Sequence, residues 1–398
     1  MEDTRLISSF ATSVEASPTM AMATLAKEMR AAGKDVLSFA VGEPDFPTPA
    51  NICEAAQKAI ADGHTKYTPA SGTPELKKAI AQAAERDLGL NYDPAQVVVS
   101  NGGKHALMNA WRTLLEPGDE VIILAPYWVS YPAQVQMAGG IPKIIQTFGH
   151  NGFQPDLEQI RAAIGPKTAA ILINSPSNPS GGVLTRQSIE GIAAIAQARD
   201  LAVVSDEIYK HILFDGREHI SPAQLSDDMK QRTIIVDGVA KTYAMTGWRI
   251  GWLIAPPAFA KCAGNIQSQE TSNPCSVSQM AAVEALGGPQ QSVGEMRAAF
   301  EQRRDYIVPA LNDIPGVVCP NPGGAFYVFP DISQHVGRVM GDAEVKSSKD
   351  FCIYLLQSAL VSTVHGSASG SEGCFRISFA CGMEQIQEGV RRIAAALK

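Results

Sequence analysis

The sequence predicts an α/β fold whose central sheet is mostly parallel. Short runs of valine, isoleucine and leucine recur between segments with helical periodicity, and each run is continuously apolar rather than alternating. Parallel strands covered by helices on both faces require such runs, and the intervening helices supply the crossovers. The runs that predict buried strands are residues 97–100, 121–124, 170–173, 201–204, 233–236 and 252–254.

One intervening segment shows the helical pattern clearly. Across residues 188–198, apolar side chains fall on a single helical face, and Arg199 and Asp200 end the pattern before the next strand. The apolar positions are Ile189, Ile192, Ile195 and Ala196. We therefore expect a crossover helix packed against the sheet.

The chain length predicts two domains, because 398 residues exceed what one hydrophobic core usually covers. The strongest break in composition is Gly287-Gly-Pro-Gln-Gln291, and a charged helical pattern at 296–304 follows it. We expect a large domain of residues 46–295. Residues 1–45 and 296–398 are expected to form a smaller α/β domain that closes on the substrate.

Composition and charge argue against several classes of partner. Apolar residues make up 45% of the chain and charged residues 18%, and the formal charge of −7 gives no reason to expect nucleic acid or an anionic membrane as partner. The first five residues carry acid where a signal peptide would be basic, and no apolar run reaches membrane-spanning length. The seven cysteines are odd in number and never form a CxxC. We expect a cytoplasmic protein with reduced thiols and no bound metal.

The segment from Val236 to Trp252 carries the most informative residues. It places Lys241 and Arg249 eight residues apart after an apolar strand. Lysine forms a Schiff base with an aldehyde cofactor, and arginine binds a phosphate through a planar fork of donors. Together the two residues suggest pyridoxal phosphate. An isolated pair with this spacing is more often a solvated lysine and a surface ion-pair partner.

Candidate ligand-binding groups follow the first two predicted strands, as expected for a parallel sheet. Gly103 and Lys104 open a helix after the first strand, and the free N–H groups of a helix start suit a phosphate. Trp128 follows the second strand and can stack on a pyridine ring. Each signal is weak alone, since glycine before a helix is usually a turn and a tryptophan usually fills a core.

The next two strands are followed by polar groups that suit the same cofactor. Asp206 ends one strand, where its carboxylate can pair with a protonated pyridine nitrogen, and Tyr209 and Asn178 can hydrogen-bond the 3′-oxygen of the ring. Asp206 could instead cap the following helix. A capping role would explain Asp206, but it would not explain why groups suited to the same cofactor follow successive strands.

These motifs resemble those of the class I, aspartate-type aminotransferases, and most closely the bacterial-type subgroup Iβ of aspartate and prephenate aminotransferases. The resemblance extends from Ser17-Pro-Thr19 to the last helix and implies the fold type I of pyridoxal-phosphate-dependent transferases. It implies that Lys241 binds the cofactor covalently and moves the proton at the substrate Cα. The implied cofactor contacts are Asp206 at the pyridine nitrogen, Tyr209 and Asn178 at the 3′-oxygen, Trp128 on the ring, and Gly103, Lys104 and Arg249 at the phosphate.

The resemblance also implies the substrate contacts and a homodimer. Arg376 matches the arginine that holds the substrate α-carboxylate, and Gly42 the glycine whose backbone N–H assists. An unpaired arginine in an apolar strand would otherwise be costly to bury. Tyr67 matches the tyrosine that reaches the cofactor phosphate of the neighbouring subunit, which implies shared active sites. Lys104 is the candidate for the side-chain carboxylate of a dicarboxylic substrate, because no lysine or arginine occurs between Lys261 and Arg297.

The chain departs from the family pattern at three places. Ala240 stands before the lysine where many relatives have serine. The usual Pro-Gly-x-x-Phe-Gly turn reads His365-Gly-Ser-Ala-Ser369-Gly370, which removes a proline and an apolar contact. Glu270 replaces a small polar residue and either disfavours acidic substrates or is a harmless surface position.

The expected reaction is reversible amino-group transfer between an amino acid and a 2-oxo acid, with aspartate and 2-oxoglutarate as the leading pair. A prephenate or aromatic aminotransferase of the same subgroup is the runner-up. A pyridoxal-phosphate-dependent carbon–sulfur β-lyase shares the scaffold and is the alternative from another reaction class. A regulator that merely binds the cofactor is disfavoured, because no DNA-binding extension precedes Ser17.

Overall fold

The computed structural model describes residues 6–14, 16, 18–341 and 343–398. Met1, where the predicted small domain begins, and Ser17, where the family resemblance begins, lie outside the described residues. The strands are β1 (Leu37–Ser38), β2 (Val97–Ser100), β3 (Glu120–Ala125), β4 (Ile141–Gln146), β5 (Thr168–Asn174), β6 (Ala202–Asp206), β7 (Thr233–Gly238), β8 (Gly251–Ile254), β9 (Tyr327–Val328), β10 (Arg338–Met340), β11 (Ala343–Val345), β12 (Val361–Ser362), β13 (Val364–His365) and β14 (Phe375–Ser378).

Helices surround these strands. They are α1 (Ser9–Ser13), α2 (Pro18–Ala31), α3 (Ala50–Ala61), α4 (Pro74–Leu88), α5 (Gly103–Leu114), α6 (Ser130–Met137), α7 (Leu157–Ala163), α8 (Arg186–Arg199), α9 (Asp227–Arg232), α10 (Val239–Thr242), α11 (Pro257–Glu270), α12 (Ser276–Gly287), α13 (Gln291–Asn312), α14 (Ser348–Tyr354) and α15 (Met383–Ala396). Among the described residues, no helix is both long and apolar enough to cross a membrane.

A seven-stranded sheet organises the chain in the order β2-β8-β7-β6-β5-β3-β4. All six predicted strands belong to it, which confirms the mostly parallel α/β prediction. The expectation that 252–254 runs parallel is wrong, because β8 is antiparallel to both β2 and β7. The reason is the connection from β7, which turns back through the four-residue helix α10 instead of crossing over through a long helix.

The edge strand β4 was not predicted. It pairs with β3 only and leaves most of its side chains partly or fully exposed. Its sequence, Ile141-Pro-Lys-Ile-Ile-Gln146, contains a proline and a lysine, which edge strands tolerate and central strands do not. A search for continuous apolar runs therefore misses it.

The two faces of the sheet are buried by different helices, as parallel strands require. Along β2, Val97 and Val99 pack in one cluster with α4 and α12, whereas Val98 packs in another with α5 and α11. On the predicted crossover helix, now α8, the four expected apolar side chains are buried. Thr185 caps its first turn, and Asp200 ends it in the left-handed conformation with φ 52°.

A separate core forms from the two ends of the chain. Met22, Phe39, Phe300 and Phe375 are buried in it, together with residues from β9 and α15. It also includes Tyr209, from the loop that follows β6. Helix α13 begins within four residues of Gly287, the break noted in the sequence. The boundaries at 46 and 295 stay a prediction.

A substitution at Gly251, the first residue of β8, can test how closely this strand approaches α5. A Cβ atom there would lie 2.4 Å from the backbone nitrogen of Gly103 and 2.6 Å from the carbonyl carbon of Gly102. Because backbone must shift, Gly251→Ala should cost about 1–3 kcal/mol and lower Tm by several degrees. Gly247→Ala is the control, since no atom lies within 4 Å of its added Cβ. Equal Tm values for the two variants in thermal unfolding would contradict this packing.

Candidate active site

A cavity of about 320 Å³ opens at the carboxyl ends of the parallel strands. Ten of the eleven predicted site residues line it: Gly42, Gly103, Lys104, Trp128, Asn178, Asp206, Tyr209, Lys241, Arg249 and Arg376. The antiparallel direction of β8 matters here. Because β8 begins at this edge of the sheet, Arg249, which precedes it, faces the same cavity as the residues that follow the parallel strands.

Lys241 lies in the short helix α10 directly after β7. Its Nζ donates a 2.6 Å hydrogen bond to the carbonyl oxygen of Gly42. Burial lowers the pKa of Lys241 to about 8; the charge of Glu43 opposes this shift, and Arg249 and Arg376 add to it. The amine is therefore available as a nucleophile and base near neutral pH.

Asp206 ends β6 and is almost completely buried, with 5% of its surface exposed. Burial raises its pKa to about 6. Two hydrogen bonds oppose this shift: Tyr131 donates its hydroxyl to Oδ2 at 2.7 Å, and the backbone N–H of Ile208 donates to Oδ1 at 3.2 Å. A cationic group beside the carboxylate would favour its ionised form.

The start of α5 and two cations form an anion-binding corner, which consists of Gly103, Lys104 and Arg249. Gly102 precedes the helix with φ 85°, and a Cβ there would lie 2.5 Å from Nη2 of Arg249. Only glycine lets the guanidinium approach so closely. Partial desolvation and the charge of Arg249 both lower the pKa of Lys104, and an anion bound in this corner would oppose that shift.

Arg376, on β14, forms the opposite side of the cavity and is 4% exposed. It donates to Oδ1 of Asn178 at 2.9 Å and to the carbonyl oxygen of Ala40, while its Nε has no hydrogen-bond partner. Within the described part of the chain, no carboxylate pairs with this guanidinium. Burial lowers its pKa, as expected for a buried cation without an anion.

Two tyrosines and a tryptophan complete the walls. The hydroxyls of Tyr209 and Tyr327 are 2.8 Å apart, and the guanidinium of Arg376 lies 4.8 Å from the centre of the Tyr327 ring. Trp128 packs edge to face against Tyr131, with ring centres 5.3 Å apart. The Nζ of Lys104 lies 5.0 Å from the Trp128 ring, which is a cation–π distance.

Among the cavity residues that were not predicted as site residues, Tyr131, Asn174 and Tyr327 make hydrogen bonds that shape the site. Tyr131 hydrogen-bonds Asp206, and Asn174 donates Nδ2 to the Asp206 carbonyl at 2.9 Å and accepts from the backbone N–H of Asn178. Tyr131 lies three residues after Trp128, and Asn174 ends β5, so helical spacing and strand position were available signals. Tyr327 comes from β9, and no local pattern marks it.

The remaining predicted residue, Tyr67, lies outside the cavity, and 92% of its surface is exposed. Its segment is nonetheless held to the core. The fully buried Gln267 donates to the carbonyl oxygens of Ala70 and Val99, and the fully buried Gln279 accepts from the backbone N–H of Thr73. An exposed tyrosine on a fixed segment is suited to contact with another chain.

The departures from the family pattern have structural consequences. Oε2 of Glu270 pairs with Nη1 of Arg112 at 2.7 Å, so its charge is compensated locally. In the turn that begins at His365, Nδ1 accepts from the backbone N–H of Ala368 at 3.3 Å and contacts Oγ of Ser367. The carbonyl of Ser369 accepts from the backbone N–H of Tyr127. Side-chain capping thus replaces proline in this turn.

A buried charged network lies on the far side of the loop that follows β6. Lys210 pairs with Asp237 at 2.8 Å and with Asp87 at 3.4 Å. The fully buried Glu207 contacts the side chains of His219 and Ser205. The loop therefore has two sides, with Asp206 and Tyr209 facing the cavity while Glu207 and Lys210 face the network. This network fixes the loop from behind.

Pyridoxal phosphate requires an amine for its aldehyde, an acid for its ring nitrogen and an anion site for its phosphate. The cavity contains groups of all three kinds on separate walls, and the glycine at position 102 leaves room for the guanidinium of Arg249 beside the helix start. When bound, the cofactor supplies an electrophilic carbon and an electron-withdrawing ring. The fold and the cavity together define a pyridoxal-phosphate-dependent enzyme of fold type I.

Comparison with known proteins specifies the family. A family model described as aminotransferase class I and II matches residues 34–393. The chain is 47% identical over 384 residues to the aspartate/prephenate aminotransferase of Cereibacter sphaeroides, with 96% of each chain covered. The chain therefore belongs to the class I and II aminotransferase family, and its reaction is amino-group transfer.

Solved structures agree with this assignment. The crystal structure of the aspartate aminotransferase from Rhizobium meliloti is similar with a TM-score of 0.94, 42% identity and 98% of each chain covered. The Thermus thermophilus aspartate aminotransferase with maleate is similar with a TM-score of 0.93, 38% identity and full coverage of both chains. These similarities confirm fold type I for the whole chain.

The pKa of Lys241 predicts how cofactor uptake depends on pH. Only the neutral amine attacks an aldehyde, and burial lowers the pKa of Lys241 to about 8. The rate at which cofactor-free protein takes up pyridoxal phosphate should therefore rise as the pH rises through about 8 and level off above it. Stopped-flow absorbance measures this rate. A rate that still increases steeply near pH 10 would show that the amine keeps its ordinary pKa.

Proposed function

We propose that the enzyme transfers the amino group of aspartate to 2-oxoglutarate, reversibly. The observation that carries this proposal is the presence of two cations without acid partners, Arg376 and Lys104, among the described residues that line one cavity. Aspartate and 2-oxoglutarate each carry two carboxylates. Maleate, named with the Thermus thermophilus relative, is also a dicarboxylate.

In this proposal Arg376 binds the α-carboxylate, with its geometry fixed by Asn178 and the Ala40 carbonyl. The backbone N–H of Gly42 assists, and Lys104 binds the side-chain carboxylate as a flexible point charge. The Nζ of Lys241 carries the proton to and from the substrate Cα, because its lowered pKa suits a base near neutral pH.

The same cavity residues account for cofactor binding. We assign Asp206 to the pyridine nitrogen, since no cation among the described residues pairs with this buried carboxylate, which therefore favours a protonated ring. Tyr209 and Asn178 then contact the 3′-oxygen, Trp128 stacks on the ring, and the anion-binding corner receives the phosphate. The buried hydrogen bond from Tyr131 holds Asp206 in place for this contact.

We also propose a cytoplasmic homodimer with shared active sites. The exposed side chain of Tyr67 on its fixed segment supports a contact with the cofactor phosphate of a second subunit. All seven cysteines are free thiols, which fits a reducing compartment. The smaller domain, residues 1–45 and 296–398, is proposed to close over the substrate, because Gly42 and Arg376 both reach the cavity from it.

Prephenate is the second candidate acceptor, because the Cereibacter sphaeroides relative is named an aspartate/prephenate aminotransferase. Prephenate also carries two carboxylates, so Arg376 and Lys104 would suit it equally. A panel of amino donors and 2-oxo acid acceptors separates the two activities. Release of pyruvate and ammonia from cystathionine would instead indicate the β-lyase, which the family assignment does not favour.

Lys104→Ala tests how the enzyme recognises dicarboxylic substrates. The variant should lower kcat/KM for aspartate and glutamate by about 30-fold, which corresponds to about 2 kcal/mol for a lost charge-assisted contact. Activity with alanine should change little. Lys104→Arg is the control, because it keeps the charge. An equal loss for every donor, together with weaker cofactor binding, would assign Lys104 to the phosphate instead.

Asp206→Ala and Arg376→Lys should fail in different ways. Without Asp206 the ring nitrogen is no longer kept protonated, so kcat should fall by several orders of magnitude while substrate binding persists. Arg376→Lys should mainly raise KM, because an ammonium cannot replace the planar fork. Steady-state kinetics of both half-reactions distinguish them. The same loss of kcat and rise of KM in both variants would argue against separate roles.

A further inference from the structure

The loop between Lys241 and Arg249 is held in a strained conformation. Two of its residues that are not glycine, Ala244 with φ 50° and Arg249 with φ 56°, adopt the left-handed region. Such conformations are energetically costly for residues other than glycine and persist only where the surroundings fix them. In this loop they bracket the short turn Thr246–Trp248, and the cofactor lysine and the corner arginine lie at the two ends.

A single hydroxyl from a distant part of the sequence holds this turn at both ends. Thr48 donates its Oγ1 hydrogen to the carbonyl oxygen of Ala244 at 2.7 Å and accepts from Nε1 of Trp248 at 3.0 Å. Both functions of the hydroxyl are therefore in use. The Trp248 ring packs against the core on α4 and α12, so the hydroxyl ties the strained backbone to a fixed element.

Neighbouring contacts connect the same two segments. Thr246 donates Oγ1 to Oε2 of Glu43 at 3.0 Å, and its carbonyl accepts from Nη1 of Arg249 at 2.9 Å. The Nζ of Lys241 donates to Gly42 in the same 42–48 segment. Of these contacts, only those of Thr48 connect the 42–48 segment to both Ala244 and Trp248.

We propose that Thr48 is a positioning residue, which holds the strained turn so that Arg249 stays beside the start of α5 and receives the cofactor phosphate. This inference rests on the proposed role of Arg249. Without the hydroxyl, Ala244 and Arg249 relax toward right-handed backbone conformations, and the guanidinium leaves its place near Gly102. The loss should appear as weaker affinity for the phosphate of the cofactor.

The test compares Thr48→Val, which is nearly isosteric but lacks the hydroxyl, with Thr48→Ser, which keeps it. Thr113→Val is the matched control, because its Oγ1 also donates a 2.7 Å hydrogen bond, to Asn109, away from the cavity. Cofactor-free enzyme is titrated with pyridoxal phosphate and with pyridoxal. Thr48→Val should raise the Kd for pyridoxal phosphate by about tenfold and leave pyridoxal almost unaffected, while the serine and control variants should resemble the wild type.

A double variant tests whether Thr48 acts through Arg249. If it does, adding Thr48→Val to Arg249→Ala should weaken binding no further, whereas independent residues would give additive losses. Additive losses, or equal effects of Thr48→Val and Thr113→Val, would overturn the inference. If Arg249→Ala alone binds pyridoxal phosphate normally, the proposed phosphate site itself is wrong, and the inference falls with it.

Trp248→Phe provides a second route should Thr48→Val fold poorly. It removes the Nε1 donor and keeps an aromatic ring in the core, so it should cause a smaller rise in the Kd for pyridoxal phosphate than Thr48→Val. Its Tm, measured beside that of Thr113→Val, separates a general loss of stability from a local effect. An unchanged Kd for Trp248→Phe would contradict the bridging role.

Discussion

The shared direction of six sheet strands is the constraint on which the rest of the structure depends. Because β2 to β7 all end at one edge of the sheet, residues that are far apart in the sequence lie close together there. The one antiparallel strand, β8, adds to this arrangement rather than disturbing it. It starts where its neighbours end, so the same edge receives Arg249 beside Lys241.

The charge distribution around the cavity is suited to anions. Four cations, Lys104, Lys241, Arg249 and Arg376, line the cavity, whereas Asp206 is the one acid among its lining residues. Placing so many positive groups in a partly desolvated space is unfavourable unless anions arrive with the ligands. A cofactor phosphate and substrate carboxylates meet this need, since burial lowers the pKa values of Lys104 and Lys241 and a nearby anion opposes that shift.

Patterns within short segments were sufficient to predict the buried strands and the functional residues next to them. Continuous apolar runs located six strands, the residues next to these strands located eight cavity residues, and the family resemblance added Gly42 and Arg376. The direction of β8 and the edge strand β4 could not be predicted, because an apolar run does not encode pairing direction and β4 has a mixed composition. Contacts such as those of Tyr327 with Arg376 and of Thr48 with Ala244 join distant segments, and no rule of sequence spacing predicts them.

The loop after β6 faces two different environments, and this limits how its length can change. Asp206 and Tyr209 face the cavity, while Glu207 and Lys210 face the buried charged network, in which Lys210 pairs with carboxylates on β7 and α4. Deleting one residue between Glu207 and Tyr209 would bring an ammonium into the cavity, and inserting one there would bring a tyrosine among carboxylates. We expect evolution to substitute residues freely around this loop but to keep its length constant, since no single compensating substitution restores both sides at once.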